Sequence, residues 1–378
     1  MKKFVIILIC LFWGITTLLI PKEALASSFS NEQKKELAKI AVENYFNKSL
    51  EKYNTNQDSV NFEGIVNSNK AEVKEYLEKK CLLGMTRRKA FNLEVIDKEY
   101  CLTYNSININ DNYCNIKVNL FETLQYNDSS EPTYISTNHD IELEFINGRY
   151  YINNDISDDE IDTEVRGKVD IDEYVNMDEQ YIKEEKFEEL NQKIKFESTN
   201  LNTNNFNSTL STKATSKSFD RNKMYNYAAA NWNSRPSNWG NFDGIGGDCT
   251  NFISQILYAG GAPMDTTGNL TWYYYSMSNR APAWTSVQYL YDYLINNDYI
   301  GPQGYTSSGY VYVAQKGDII QVDFTKDGTY DHSLCIVQHS AGTTTSTKVA
   351  AHSNNSWNRP LSDYSGNKRW ILLSGYME

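Results

Sequence analysis

The chain of 378 residues carries 48 acidic against 36 basic side chains, a formal net charge of −12, and this acidity argues against a nucleic-acid partner. Its length exceeds what one hydrophobic core usually organises, so two domains are expected. Six cysteines at irregular spacing fit neither a zinc site nor a disulfide-dense scaffold. There is no HExxH helix, so neither metal nor cofactor is expected.

The N-terminus reads as a secretory signal peptide over residues 1–26: Lys2-Lys3, an apolar run from Phe4 to Ile20, then Ala24-Leu25-Ala26 before Ser27. Its removal would take three lysines and one glutamate, shifting −12 to −14, and would also take Cys10. Cys81, Cys101, Cys114, Cys249 and Cys335 then remain, an odd number that leaves at least one thiol free. The expected location is outside the cell or on the surface of a Gram-positive-type bacterium. No later segment is long enough to span a membrane.

Residues 27–155 read as a small α+β domain of unknown role. Ser30-Asn31-Glu32-Gln33 is a capping box opening a helix whose apolar side carries Leu37, Ile40, Ala41, Tyr45 and Phe46. A second helix is expected near Lys70 to Leu83. The period then changes to two: Ile116, Val118 and Leu120 alternate with Lys117 and Asn119, and Ile141, Leu143 and Phe145 with Glu142 and Glu144. These are half-buried antiparallel strands, and Asn147-Gly148 marks a tight hairpin turn. His139 reads as an exposed loop residue. Residues 156–197 form an acidic connector, helical around Glu179 to Lys195, and the Ser/Thr/Asn-rich stretch 198–218 reads as a linker.

Residues 219–378 carry the chemistry. Gly246-Gly247-Asp248-Cys249 precedes a helical apolar face of Phe252, Ile253, Ile256 and Leu257 that stops at Gly260-Gly261. Asp248 stands at the N-cap and Cys249 at the first helical position, where the helix dipole and unsatisfied N–H groups favour a thiolate. Downstream, His332 opens a strand His332-Ser333-Leu334-Cys335-Ile336-Val337. An imidazole brought to Cys249 would be its base. Cys335 has opposite parity to His332 and should pack as a small apolar residue.

These residues, with Trp272-Tyr273-Tyr274, Trp284, Lys316-Gly317-Asp318-Ile319, Ala351-His352-Ser353 and Asn358-Arg359-Pro360-Leu361, resemble the family named "putative amidase domain" over about Asp220 to Met377. That family is similar to the NlpC-type and CHAP cell-wall hydrolases. The resemblance implies α+β architecture: a papain-like domain, with the nucleophile's helix packed on an antiparallel sheet, joined to the smaller N-terminal domain.

It also implies secreted, cysteine-dependent hydrolysis of amide bonds in cell-wall peptide or another extracellular amide. Cys249 is the nucleophile, His332 the base, and the Cys249 N–H an oxyanion donor. A binding module without activity and an acyl transferase use the same fold and remain alternatives. Trp272 and Trp284 are candidates for a substrate groove, and Arg359 for a carboxylate clamp. For the third catalytic residue, a three-residue loop at Ala341-Gly342-Thr343 pairs Ser340 with Thr344 and so sets His352 opposite His332; a loop longer by two residues selects Asn354 instead.

Overall fold

The computed structural model describes residues 29–54, 56–202, 217–307 and 309–378. The signal segment 1–26 and residues 203–216 of the expected linker lie outside them. No helix among the described residues is long and apolar enough to cross a membrane.

The capping box forms as the sequence dictates: Ser30 Oγ accepts from Gln33 N, and Gln33 Oε1 accepts from Ser30 N. It opens α1 (Asn31–Ser49), which buries Ala38, Val42, Tyr45 and Phe46. Ile40, expected on that face, is half exposed, because the inward stripe runs through Ala38 and Val42 rather than Ile40. Helix α2 (Ala71–Ala90) follows. Four antiparallel strands then run in succession: β1 (Val95–Asn110), β2 (Tyr113–Tyr126), β3 (Thr133–Ile146) and β4 (Arg149–Ser157). Asn147 and Gly148 both adopt positive φ, 51° and 88°, and close the β3–β4 hairpin.

His139 is not the loop residue the sequence suggested. It points inward from β3 on the face of Ile141 and Leu143, donates Nδ1–H to Asp155 at 2.9 Å, and meets Thr137 Oγ1 at 3.0 Å. The period-two pattern simply extends two residues further than its apolar members reveal.

From Ile171 the acidic connector folds as one long helix, α3 (Ile171–Asn202). The second half contributes α4 (Arg221–Asn231), α5 (Cys249–Ala259), a short ribbon of β5 (Tyr274–Ser276) and β6 (Asn279–Arg280), α6 (Pro282–Thr285) and α7 (Val287–Asn296). It ends with β7 (Gly301–Tyr305), α8 (Tyr310–Val313), β8 (Ile319–Asp323), β9 (His332–Gln338), β10 (Lys348–Ala351), β11 (Asn355–Pro360) and β12 (Asn367–Met377).

One antiparallel sheet of ten strands joins the two halves, in the order β1-β2-β3-β11-β10-β9-β8-β12-β7, with β4 also on β3. The seam is the start of β3, where Tyr134, Ile135 and Ser136 face Trp357, Ser356 and Asn355 of β11. One face of the second half's sheet, with Ile319, Cys335, Val337 and Ala350, packs under α5 through Phe252, Ile253, Ile256 and Leu257. The opposite face, with Ile320, Val322, Leu334, Ile336, Val349 and Ala351, is covered by Val165, Tyr174 and Leu83 from the connector and from α2. The second half is therefore sandwiched between its own helix and elements contributed by the first.

Candidate active site

Cys249 opens α5 and is 4% exposed. Asp248 occupies the N-cap position, yet its carboxylate makes no capping bond to the helix backbone. It accepts instead from Phe242 N at 2.9 Å and Asn251 Nδ2 at 2.9 Å, lies 3.2 Å from Arg235 Nε, and meets His352 Nδ1 at 2.6 Å. Its own N–H donates to Ser353 Oγ at 2.8 Å. Asp248 thus ties the loop before Cys249 and the turn after β10 to the start of α5. Gly247, at φ 90°, approaches Ser353 so closely that a Cβ would lie 3.2 Å from its Oγ, which explains a glycine there.

The thiol sits at the end of the sheet beside β9. The N–H of Ser333 and the hydroxyl of Thr250 favour the thiolate, but burial outweighs both and pushes the Cys249 thiol up to about 11. This corrects the expectation of a depressed value from the helix dipole alone. Thr250 Oγ1 in turn meets Ser333 Oγ at 3.0 Å.

His332 begins β9 on the face opposite α5. It lies across from Val322, with its ring 6.1 Å from Phe324 and 6.2 Å from Tyr364. Burial holds its pKa down at about 4, so the ring is neutral at neutral pH, and its Nε2 is buried without a hydrogen-bond partner. Among the described residues, the Cys249 thiol has a side-chain hydrogen bond with Thr250 and none with an imidazole. Cys335 lies in the core on the α5 face, opposite in parity to His332.

The expected pairing of His332 with His352 is corrected. The connection from β9 to β10 runs from His339 to Thr347, longer than a three-residue loop, and it pairs Cys335 with Ala350 and Ile336 with Val349. His352 therefore leaves the α5 face while His332 leaves the other. The His352 ring stacks on Phe252 at 3.8 Å, and its two nitrogens face Asp248 Oδ2 and Asn231 O. Both are acceptors, so His352 is committed to holding the loops together. Asn354, the alternative third residue, is 3% exposed with Oδ1 buried and unpartnered. It lines a cavity shared with Phe324 and Tyr364, the two rings beside His332.

The substrate-binding candidates are also relocated. Trp272 and Trp284 are fully buried, donating Nε1–H to Ser254 Oγ at 3.0 Å and Asn251 Oδ1 at 2.9 Å. They anchor α5 from beneath because each indole has an apolar body and one donor that α5 satisfies. Arg359 donates to Glu160 Oε1 at 2.6 Å and covers Tyr364, which ties β11 to the connector rather than to a substrate. Sequence reasoning missed Asp248 as the hub of the site. The signal was present in its position before Cys249, but its four partners are scattered from Arg235 to His352.

Residues 218–373 match the family described as "Putative amidase domain". This half is an amidase-like domain. A stretch of 132 residues is 33% identical to "Uncharacterized protein YhbB" of Bacillus subtilis (strain 168), covering 33% of this chain and 39% of that relative. The chain therefore spans well under half of that relative's length. No solved structure matches. The match of residues 218–373 to that family suggests hydrolysis of amide bonds.

Proposed function

We propose that the protein is a secreted cysteine amidase or endopeptidase acting on cell-wall peptide, with Cys249 as nucleophile, His332 as base and Asn354 as the residue that orients the base. The observation that carries the reading is the placement of Cys249 at the first position of α5, against the N–H of Ser333, the residue next to His332. His332 is the first residue of its strand, so the reading requires its imidazole to turn toward the thiol at that strand end. In that position Asn354 Oδ1 would accept Nε2–H, satisfying two buried atoms that otherwise lack partners. Nδ1 is then left as the acceptor facing Cys249.

The chemistry follows from the protonation states. A neutral imidazole takes the thiol proton as sulfur attacks the amide carbonyl, and the first N–H groups of α5 stabilise the oxyanion. The imidazolium then protonates the leaving amine, and water hydrolyses the thioester. The signal peptide expected from the sequence and the resemblance of these residues to cell-wall hydrolases motivate the choice of substrate. Incubating the protein with purified peptidoglycan and weighing the released fragments by mass spectrometry tests it. New free amine and carboxyl ends in the stem peptide are expected; unchanged muropeptides beside a turned-over soluble peptide would reject the wall assignment.

A further inference from the structure

A polar row crosses the sheet beneath the start of α5. Ser333 of β9 lies opposite Gln321 of β8, which lies opposite Arg369 of β12, so all three side chains leave the face that carries Cys249. They are joined in sequence: Gln321 Nε2 donates to Ser333 Oγ at 3.3 Å, and Arg369 Nε donates to Gln321 Oε1 at 2.7 Å. Ser333 then reaches Thr250, the neighbour of the nucleophile.

Arg369 differs from three of the four other arginines of this half; the fourth, Arg280, also lacks an acid but gives its donors to Thr285 Oγ1 and Met277 O. Arg221, Arg235 and Arg359 each lie 2.6–2.9 Å from a carboxylate, whereas Arg369 has none within ion-pair distance among the described residues. It is half-buried and clamped between the rings of Tyr291 and Tyr330, 3.7 and 3.9 Å from its carbon. One further donor reaches the exposed Gln288 at 3.1 Å. Both flat faces are thus occupied by aromatics and Nε is fixed by Gln321, while the remaining edge keeps unassigned N–H groups. Such a guanidinium is held rigid and partly desolvated, with no acid in direct contact, which suits planar recognition of a carboxylate.

We propose that Arg369 is a specificity residue that binds a free carboxylate of the substrate. This rests on the hydrolase reading given above. Arg369 lies two strand spacings from Ser333, about 10 Å, a distance that an extended peptide covers in roughly three residues. The selected substrate is an acidic peptide whose carboxylate lies two or three residues from the bond that Cys249 attacks. A side-chain carboxylate and a free chain terminus supply the same group.

The test is a positional set of synthetic peptides carrying Glu or Gln at each of three sites on either side of the cleaved amide, each with a free or amidated C-terminus. In the wild type, one Glu or free-terminus member should exceed its neutral twin in kcat/KM by about tenfold or more, chiefly through KM. In R369Q the ratio should fall to near one, and R369K, which keeps the charge between the two tyrosines but loses the fork, should fall between. Thermal melts of both variants establish that they are folded, and if R369Q does not fold, the R369K ratio decides. Cleavage of the peptides without any acidic preference, or a preference that both variants retain, overturns the role of Arg369 alone. Absence of any Cys249-dependent cleavage overturns the hydrolase reading and the inference together.

Discussion

The imidazoles of His332 and His352 leave opposite faces of the same sheet, because Cys335 faces Ala350 across β9 and β10. A single step of register separates this arrangement from one in which the two rings would touch. It divides their roles: His332 is left with an unpartnered Nε2, and His352 is locked between Asp248 and Asn231.

Replacing the two candidates for the third residue separates these roles. On the proposed role of its amide in orienting the base, Asn354→Ala should lower kcat on the order of 100-fold with little change in melting temperature. His352→Ala should destabilise the fold by about 3 kcal/mol, through the stack on Phe252 and the buried Asp248 carboxylate left without one partner. Kinetics and melting curves of both variants check this. A large loss of kcat in a fully stable His352→Ala protein would return His352 to the role of third catalytic residue.

The resting pair should be neutral. With the thiol raised to about 11 and the His332 pKa lowered to about 4, thiol and imidazole both lack charge between those values. Alkylation of Cys249 by iodoacetamide should therefore accelerate about tenfold per pH unit from 7 to 10. The measurement uses a Cys101→Ser background, because Cys101 is exposed. A rate already flat from pH 6 upward would mean a preformed thiolate–imidazolium pair.

The amidase-like domain should not stand alone. A fragment starting near Asp220 would strip the cover that Leu83, Val165 and Tyr174 give to the face of Ile320, Val322, Leu334, Ile336, Val349 and Ala351. Each exposed Val, Leu or Ile side chain costs about 1.5–3 kcal/mol, so the five larger ones rival the about 5–15 kcal/mol that stabilises a typical domain. The fragment should be insoluble by itself and become soluble when coexpressed with residues 27–202. A monomeric fragment with a cooperative melt would show that the first half is dispensable for folding.

Much of this was legible in the sequence where the cause is local. The capping box, the Asn147-Gly148 turn and the position of Cys249 at the start of α5 follow from neighbours three or four residues away. What was not legible depends on distant partners. The length of the β9–β10 connection is set by His339, whose Nδ1 meets Thr347 Oγ1 at 2.8 Å and whose Nε2 faces Val311 O at 3.1 Å, contacts no periodicity announces. The burial of Trp272 and Trp284 depends on Ser254 and Asn251, polar residues on a helix that reads as an apolar stripe. The joining of β3 to β11 spans more than two hundred residues, and residues 198–218 read as a linker gave no hint of it.

The measurement closest to the central claim is hydrolysis by wild type and Cys249→Ser, compared on one peptide substrate with release of the new amine followed over time. The exchange alters a single atom at the first position of α5, so both proteins should melt alike. The account predicts that the wild type releases amine and that the variant releases none above the rate without protein. Turnover by a folded Cys249→Ser protein at a rate near the wild type would contradict it.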